Sequence, residues 1–368
     1  MNNINSNPFS MLRELVETES PSHEKSAVDR VGSLVAKMCR QLGAKVETVK
    51  QTEVGDHILA RWGSGANGIL LLHHMDTVFP LGTLREMPFY QKEGKTFGPG
   101  VLDMKGGIVV SLAAISLLQE SNRMPSRPVT ALFTSDEETG SDTSRPLIEK
   151  LARESALVLV LESGMVDGAL KVWRKGVGEF LVKVKGRASH AGGAHQEGRN
   201  AIQEMAHQVL AIQDMTDYGK GTTLNVGVIR GGTASNVVPA ESEAEVDYRV
   251  RVPEEAERID AAMKSLKPIL AGTSITVTGG LNRPPMPTDD TMKITFGKAT
   301  RIAAGIGMTL KSGGTGGGSD ANFVAPLGIP VLDGLGTIGE GHHSEREFFF
   351  TDSLPERAKL VAELVSRW

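Results

Sequence analysis

Ile69-Leu70-Leu71-Leu72-His73-His74-Met75-Asp76 sets four consecutive apolar residues directly before two histidines and an aspartate. The apolar run is too short for a helix. Its unbroken apolarity marks a strand buried on both faces, so it predicts a central strand of an α/β sheet. Residues 129–133 and 156–161 repeat the pattern, the first running on toward Asp136-Glu137-Glu138 and the second straight into Glu162. Between the first two of the three runs, 69–72 and 129–133, residues 104–120 carry Ile108, Leu112, Ile115 and Leu118 as one helical stripe. Strands and helices therefore alternate, as they do when helices cover the faces of a largely parallel sheet. In such sheets ligands gather beyond the carboxyl ends of the strands.

Outward from this core, the helical spacing of Leu12, Leu15, Val28, Val31, Leu34, Val35 and Met38 predicts two N-terminal helices broken at Ser20-Pro21-Ser22. Residues 293–304 and 354–368 predict two more helices, with a short buried strand at 329–332. Residues 178–285 differ, because Phe180, Val182 and Val184, then Leu224, Val226 and Val228, then Ala244, Val246, Tyr248 and Val250 alternate with polar neighbours. These are half-buried antiparallel strands, and Ile275 with Val277 adds a fourth. Ile202, Met205, Ala206, Val209 and Leu210 predict one intervening helix; Ile259, Met263, Leu266 and Ile269 predict another. The order β-α-β-β-α-β predicts a ferredoxin-like domain at 178–285, ending at the proline-rich Arg283-Pro284-Pro285-Met286-Pro287. That insert splits one α/β domain into residues 1–177 and 286–368.

The balance of 40% hydrophobic and 23% charged residues with a net charge of -4 leaves no basic excess, which excludes nucleic acid as an expected partner. One cysteine, Cys39, excludes an intramolecular disulfide framework and a cysteine-rich zinc finger, so a metal site must use histidine and carboxylates. No run reaches the roughly 18 apolar residues of a membrane span, and the first 14 residues lack the charged-then-apolar start of a secretory signal. The expected compartment is the cytoplasm, without membrane attachment.

Five places bring His, Asp or Glu to the end of a buried strand or into a turn: His74-Met75-Asp76, Asp103, Asp136-Glu137-Glu138, Glu162 and His342-His343. Singly each is ordinary, since paired glutamates are commonly solvated charge. Together they put carboxylates at one sheet edge, where uncompensated burial is costly and cations would offset it. Two imidazoles with several carboxylates suit zinc, cobalt or manganese, and the carboxylates suffice for two ions. Two ions about 3.5–4 Å apart can hold and acidify a water while polarising a carbonyl. Spacing leaves open which ring of His73-His74 and of His342-His343 ligates. His23, His57, His195 and His207 have no such context. The loop Gly313-Gly314-Thr315-Gly316-Gly317-Gly318-Ser319 lacks the lysine of a P-loop, so it suits an anion rather than a nucleotide. Arg174-Lys175-Gly176 adds a positive cluster suited to acidic substrates.

Eight strings in order carry a family resemblance. They are His74-Met75-Asp76-Thr77-Val78, the Gly-Pro-Gly-x-x-Asp-x-Lys-Gly-Gly segment ending at Gly107, Asp136-Glu137-Glu138-Thr139-Gly140-Ser141, Glu162-Ser163-Gly164, Gly186-Arg187-Ala188-Ser189-His190-Ala191-Gly192, Thr233-Ala234-Ser235-Asn236-Val237-Val238-Pro239, Gly316-Gly317-Gly318-Ser319-Asp320 and His343-Ser344. Together they resemble the M20 metallopeptidases, and within them the glutamate carboxypeptidase branch.

The resemblance implies a discontinuous α/β/α zinc-peptidase domain with a ferredoxin-like lid and dimerisation insert. It implies two zinc ions per subunit. His74 and Glu162 would sit in the shells of opposite ions, Asp103 would bridge them, and Glu138 and His343 would complete the set. Asp76 would orient His74. Glu137 would be the general base that takes a proton from water and returns it to the leaving amine. His190 would polarise the scissile carbonyl in the partner's site of a homodimer. Asn236, Arg249, Gly317 and Gly318 would hold a substrate carboxylate. A cis Asp103-Met104 peptide is also implied.

The expected activity is hydrolysis of an amide next to a free carboxylate, releasing C-terminal glutamate or a similar amino acid from a small-molecule or peptide substrate. The alternative within this chemistry is an N-acyl-amino-acid deacylase of the acetylornithine or succinyl-diaminopimelate type. A catalytically silent binding homologue would be expected to lack the base or a ligand, whereas Glu137 and the five proposed ligands are all present.

Overall fold

A computed structural model describes residues 7–368. The first six residues, part of the segment read for a secretory signal, lie outside the described residues. The chain divides into two compact units. One comprises the residues up to Trp173 with Pro287–Thr315 and Ser319–Trp368; the other comprises Arg174–Met286 with Gly316–Gly318.

The first unit is built on an eight-stranded sheet in the order Lys45–Val49, His57–Trp62, Val129–Thr134, Gly68–His74, Ser155–Val160, Val331–Asp333, Leu170–Arg174, Ser312–Thr315. Gly68–His74 lies parallel between Val129–Thr134 and Ser155–Val160, and Val331–Asp333 continues the parallel block. Ile69, Leu71, Ala131, Phe133, Leu157 and Leu159 share one core cluster with the helices Pro8–Glu17, Lys25–Gln41, Gly106–Glu120 and Ser353–Arg367. Leu70, Leu72, Leu132, Val158 and Val160 are equally buried on the opposite face, where helix Arg145–Arg153 packs on Ser155–Val160. Burial of both faces is the physical reason these strands read as continuous apolar runs. Leu71→Ala is expected to destabilise this unit by about 2–5 kcal/mol, by lost transfer energy and a cavity, read as a shift of its denaturant transition.

Some elements were not legible in the pattern. Lys45–Val49, His57–Trp62 and Leu170–Arg174 extend the sheet, and Ser312–Thr315 makes a strand from what reads as a glycine loop. A small second sheet, in the order Gly339–Glu340, Phe348–Phe350, Lys95–Phe97, Tyr90–Lys92, ties residues just before Asp103 to residues just after His343 through Phe97↔Phe348 and Thr96↔Phe349. The segment Val101–Glu120 is long and apolar enough to cross a membrane by composition, but it is mostly buried within the protein and its helix Gly106–Glu120 forms part of the core.

The second unit has the β-α-β-β-α-β order, with Gly176–Lys185, Thr223–Gly231, Glu241–Val250 and Ser274–Arg283 as strands and Ala201–Gln213 and Pro253–Lys264 as helices. Its antiparallel sheet runs Thr223–Gly231, Glu241–Val250, Gly176–Lys185, Ser274–Arg283. Phe180, Val182, Val184, Ala244, Val246 and Tyr248 form its core with Met205, Ile212, Ile259 and Met263. The helical stripes read from hydropathy need correction. Ile202 and Leu210 are exposed and Gln208 is buried, because buried Glu204 turns inward to accept the N–H groups of Ile269 (3.0 Å) and Leu270 (2.6 Å). The second helix stops at Lys264, short of Ile269, which lies exposed just after Pro268 in a segment held by Glu204.

Candidate metal centre

Strand Gly68–His74 ends by delivering His74, 1% exposed, to the carboxyl end of the sheet. Its Nδ1 lies 3.0 Å from the carbonyl oxygen of Asp76, which can only accept, so Nδ1 carries a proton. Nε2 faces Asp103 Oδ1 at 3.2 Å and Glu162 Oε1 at 3.5 Å. Burial opposes the charged ring, but the surrounding Asp103, Asp76, Glu162 and Glu137 carboxylates outweigh it and hold the imidazole well above its ordinary value. The Asp76 carboxylate is 3.6 Å from Nδ1, too long for a good hydrogen bond. It accepts instead from Ser22 Oγ (2.8 Å) and from the backbone N–H groups of Glu138 (3.2 Å) and Glu137 (3.3 Å). Asp76 thus orients the histidine by its carbonyl and the acidic turn by its carboxylate.

That turn follows strand Val129–Thr134. The Asp136 carboxylate fastens it by accepting from Thr143 N (2.8 Å), Thr143 Oγ1 (2.7 Å) and Ser144 N (3.2 Å). Glu138 Oε2 approaches His343 Nε2 at 3.3 Å, and His343 Nε2 is 3.2 Å from Asp103 Oδ2. The Asp103 and Glu138 carboxylates push the His343 imidazole up to about 10. Burial, together with the Asp103 charge, pushes Glu138 up to about 7. Asp103 itself is held well below the usual carboxylate range, where His343 and His74 outweigh its burial.

The result is two sets of three donors, His74-Asp103-Glu162 and Asp103-Glu138-His343, each with its ligand atoms within 4.8 Å of one another and with Asp103 in common. This corrects the expectation that His74 and Glu162 serve opposite ions: they fall in one set, because His74 Nε2 faces Glu162 Oε1 at 3.5 Å. Asp103 and Met104 interrupt helical geometry and share a cis peptide bond, as the resemblance implies. A Cβ on Gly107 would overlap the Leu161 carbonyl, so glycine lets the helix after Asp103 close on the strand that delivers Glu162. The donors fit divalent cations by two tests. Three carboxylates with two imidazoles is a ligand set for zinc, manganese or cobalt, and three protein donors per ion leave room for substrate. Glu138 Oε1 is also buried without a hydrogen-bond partner, the kind of orphaned acceptor that a cation satisfies.

The neighbouring histidines go elsewhere. His73 is buried, stacked on Phe133 at 4.5 Å and bonded to Ser111 Oγ at 2.8 Å, and burial pushes it down to about 3. His342 is bonded to Ser163 Oγ at 2.7 Å. His57, which lacked context in the sequence, is buried between Ser135 Oγ and Thr143 Oγ1, each 3.0 Å away, behind the acidic turn. Glu347 is a further buried acid beside the site. Burial and the Asp103 charge push it up to about 8, while the backbone N–H groups of Gly100, Leu102 and Asp103 pull the other way. In sequence it is one of several charges in Glu345-Arg346-Glu347, so only its burial distinguishes it.

The remaining site candidates belong to the second unit. His190 is exposed, and its Nδ1 accepts from Gly192 N (3.1 Å) and Gly193 N (3.0 Å), which leaves Nε2 as the protonated nitrogen. Asn236 is exposed, and its carbonyl accepts from Ala191 N at 2.9 Å. Arg249 is engaged by Asp247 through Nη2 at 2.6 Å and Nε at 2.9 Å. The carbonyls of Gly317 and Gly318 accept from Arg174 Nη1 at 3.2 and 2.8 Å.

The family model described as "Peptidase family M20/M25/M40" matches residues 70–367. Carboxypeptidase G2 of Pseudomonas sp. (strain RS-16) is 33% identical over 367 residues, covering 96% of this chain and 87% of that protein. Succinyl-diaminopimelate desuccinylase of Stenotrophomonas maltophilia (strain R551-3) is 26% identical, covering 91% of this chain and 92% of its own. Among solved structures, aminopeptidase PepT from Bacillus cereus superposes with a TM-score of 0.76 at 24% identity, covering 98% of each chain.

Proposed function

Since the chain belongs to peptidase family M20/M25/M40 and is a hydrolase of that family, we propose that it cleaves an amide bond beside a free carboxylate, releasing C-terminal glutamate or a similar amino acid. The observation that carries this reading is the pair of donor sets sharing Asp103, with Glu137 on the same turn as Glu138. His74 and Glu162 would hold one cation, Glu138 and His343 the other, and Asp103 both; two zinc ions are the first choice, cobalt or manganese the alternatives. Such ions supply Lewis-acid polarisation of the scissile carbonyl and an acidified water.

The chain's own residues do the rest. Glu137 takes the proton of the attacking water and returns it to the leaving amine, while Asp76 holds the turn that carries Glu137 through its backbone N–H. The second unit is the lid and dimerisation domain of a cytoplasmic homodimer, where His190 donates from Nε2 to the developing oxyanion of the partner's site. Asn236, Arg249 and the Gly317-Gly318 backbone receive the substrate carboxylate. For Arg249 this requires exchange of Asp247 for the substrate, a swap of like for like between two carboxylates.

His343→Ala is expected to lose one of two bound cations, with His342→Ala keeping both, as counted by metal analysis after dialysis. The deacylase reading rests on the 26% identity to a succinyl-diaminopimelate desuccinylase. N-benzoyl-glutamate, a folate-type glutamate conjugate, N-acetylornithine and N-succinyl-diaminopimelate, offered before and after chelation and zinc return, separate the two. Preferred metal-dependent glutamate release supports the carboxypeptidase reading, preference for either acyl substrate replaces it with the deacylase, and no turnover on the glutamate conjugates overturns it.

A further inference from the structure

We propose that Glu347 is a positioning residue that fixes the shared ligand Asp103 by holding the backbone of its loop; the inference rests on the two-cation reading of the site. Glu347 is fully buried, and its carboxylate accepts three backbone N–H groups: Gly100 (2.9 Å, Oε2), Leu102 (2.8 Å, Oε1) and Asp103 (3.0 Å, Oε1). These donors need an external acceptor for a physical reason. Gly98 and Gly100 have φ of 147° and 71°, and Asp103 and Met104 depart from helical angles, so the turn does not close the usual ladder of backbone bonds. One side chain from another segment closes it instead.

That segment also carries His343, four residues earlier. The Glu347 N–H donates to Ser344 O at 3.1 Å, and the next residue pairs Phe348↔Phe97 with the strand that leads into the Asp103 loop. A single carboxylate thereby sets the Asp103 loop against the His343 segment, which together supply two of the three donors of one set. Glu347 touches neither substrate nor cation; it acts through the loop backbone.

Glu347→Gln is the informative change. The amide keeps the volume, but one of the two accepting oxygens becomes a donor facing an N–H group, whichever way the amide is turned. Chelator-treated full-length protein would be retitrated with Co2+, following affinity, stoichiometry and the visible absorption that reports coordination geometry. The expected result is two equivalents bound by the wild type, with the variant's affinity about 10- to 100-fold weaker, the range for loss of an outer-shell partner, and an altered spectrum. Glu347→Asp, which keeps the charge but is shorter by one methylene, is expected to lose less; if the Gln variant fails to fold, the Asp variant carries the test, and wild-type binding by it overturns the proposal. Glu363→Gln weakens the pair that buried Glu363 makes with the exposed Arg123 in the same unit and is the structural comparator, expected to lower thermal stability while leaving the cobalt titration unchanged. If that comparator weakens cobalt binding equally, or if Glu347→Gln matches the wild type in affinity and spectrum, the proposal is overturned while the two-cation reading stands. A wild type that takes up no cobalt overturns the two-cation reading and this inference with it.

Discussion

Glu137→Gln is expected to keep both cations and lower kcat by roughly 10²- to 10⁴-fold, the usual contribution of a general acid–base group. The substitution is nearly isosteric, and the hydrogen bond from the backbone N–H of Glu137 to the Asp76 carboxylate at 3.3 Å does not involve the replaced group. What is lost is the capacity to take a proton from water and return it to the amine. KM should move little, because the interaction matters only along the reaction path. Metal analysis alongside steady-state kinetics checks both halves. Retained turnover removes Glu137 from the role of base, and loss of metal would mean that it is a ligand.

Asp103→Asn should have the larger effect on metal. Asp103 belongs to both donor sets, with Oδ1 toward His74 and Oδ2 toward His343, so one substitution weakens both sites at once. An amide offers one neutral oxygen where the carboxylate offers two charged ones. The affinity loss should exceed the roughly 10- to 100-fold typical of outer-shell partners, and activity should fall with it. Metal content after dialysis and calorimetric titration with zinc measure the change; two tightly held equivalents in the variant would refute the shared-ligand assignment. Without cations the variant should also forgo the stabilisation that bound ligand gives, about 2.7 kcal/mol at a hundred times Kd, so added zinc should raise its melting temperature less than the wild type's.

The candidate site was legible because its residues stand where short apolar runs end. Leu72 gives way to His73-His74, and Leu161 to Glu162, and a strand buried on both faces writes both its presence and its carboxyl end into hydropathy. Edge strands such as Lys45–Val49, with an exposed and half-buried pattern, write neither. Buried polar residues mislead the same reading. Glu204 and Gln208 lie inward on a helix whose apolar Ile202 and Leu210 face out, because two backbone N–H groups outside any helix require an acceptor there.

The sequence by itself determined the alternation of strands and helices, the β-α-β-β-α-β order and the residue types able to hold cations, since each is fixed by local periodicity or by the chemistry of a side chain. Only the tertiary structure supplied the physical reason for the choice of His74 over His73 that the motifs of the resemblance make between adjacent histidines. His73 points into the core against Phe133 while His74 points to Asp103, and successive side chains on a strand must face opposite ways. It alone likewise singled out Glu347 from Glu345-Arg346-Glu347. A charge is read as solvated until the fold shows which backbone donors it is buried to satisfy, and those three donors lie more than 240 residues away along the chain.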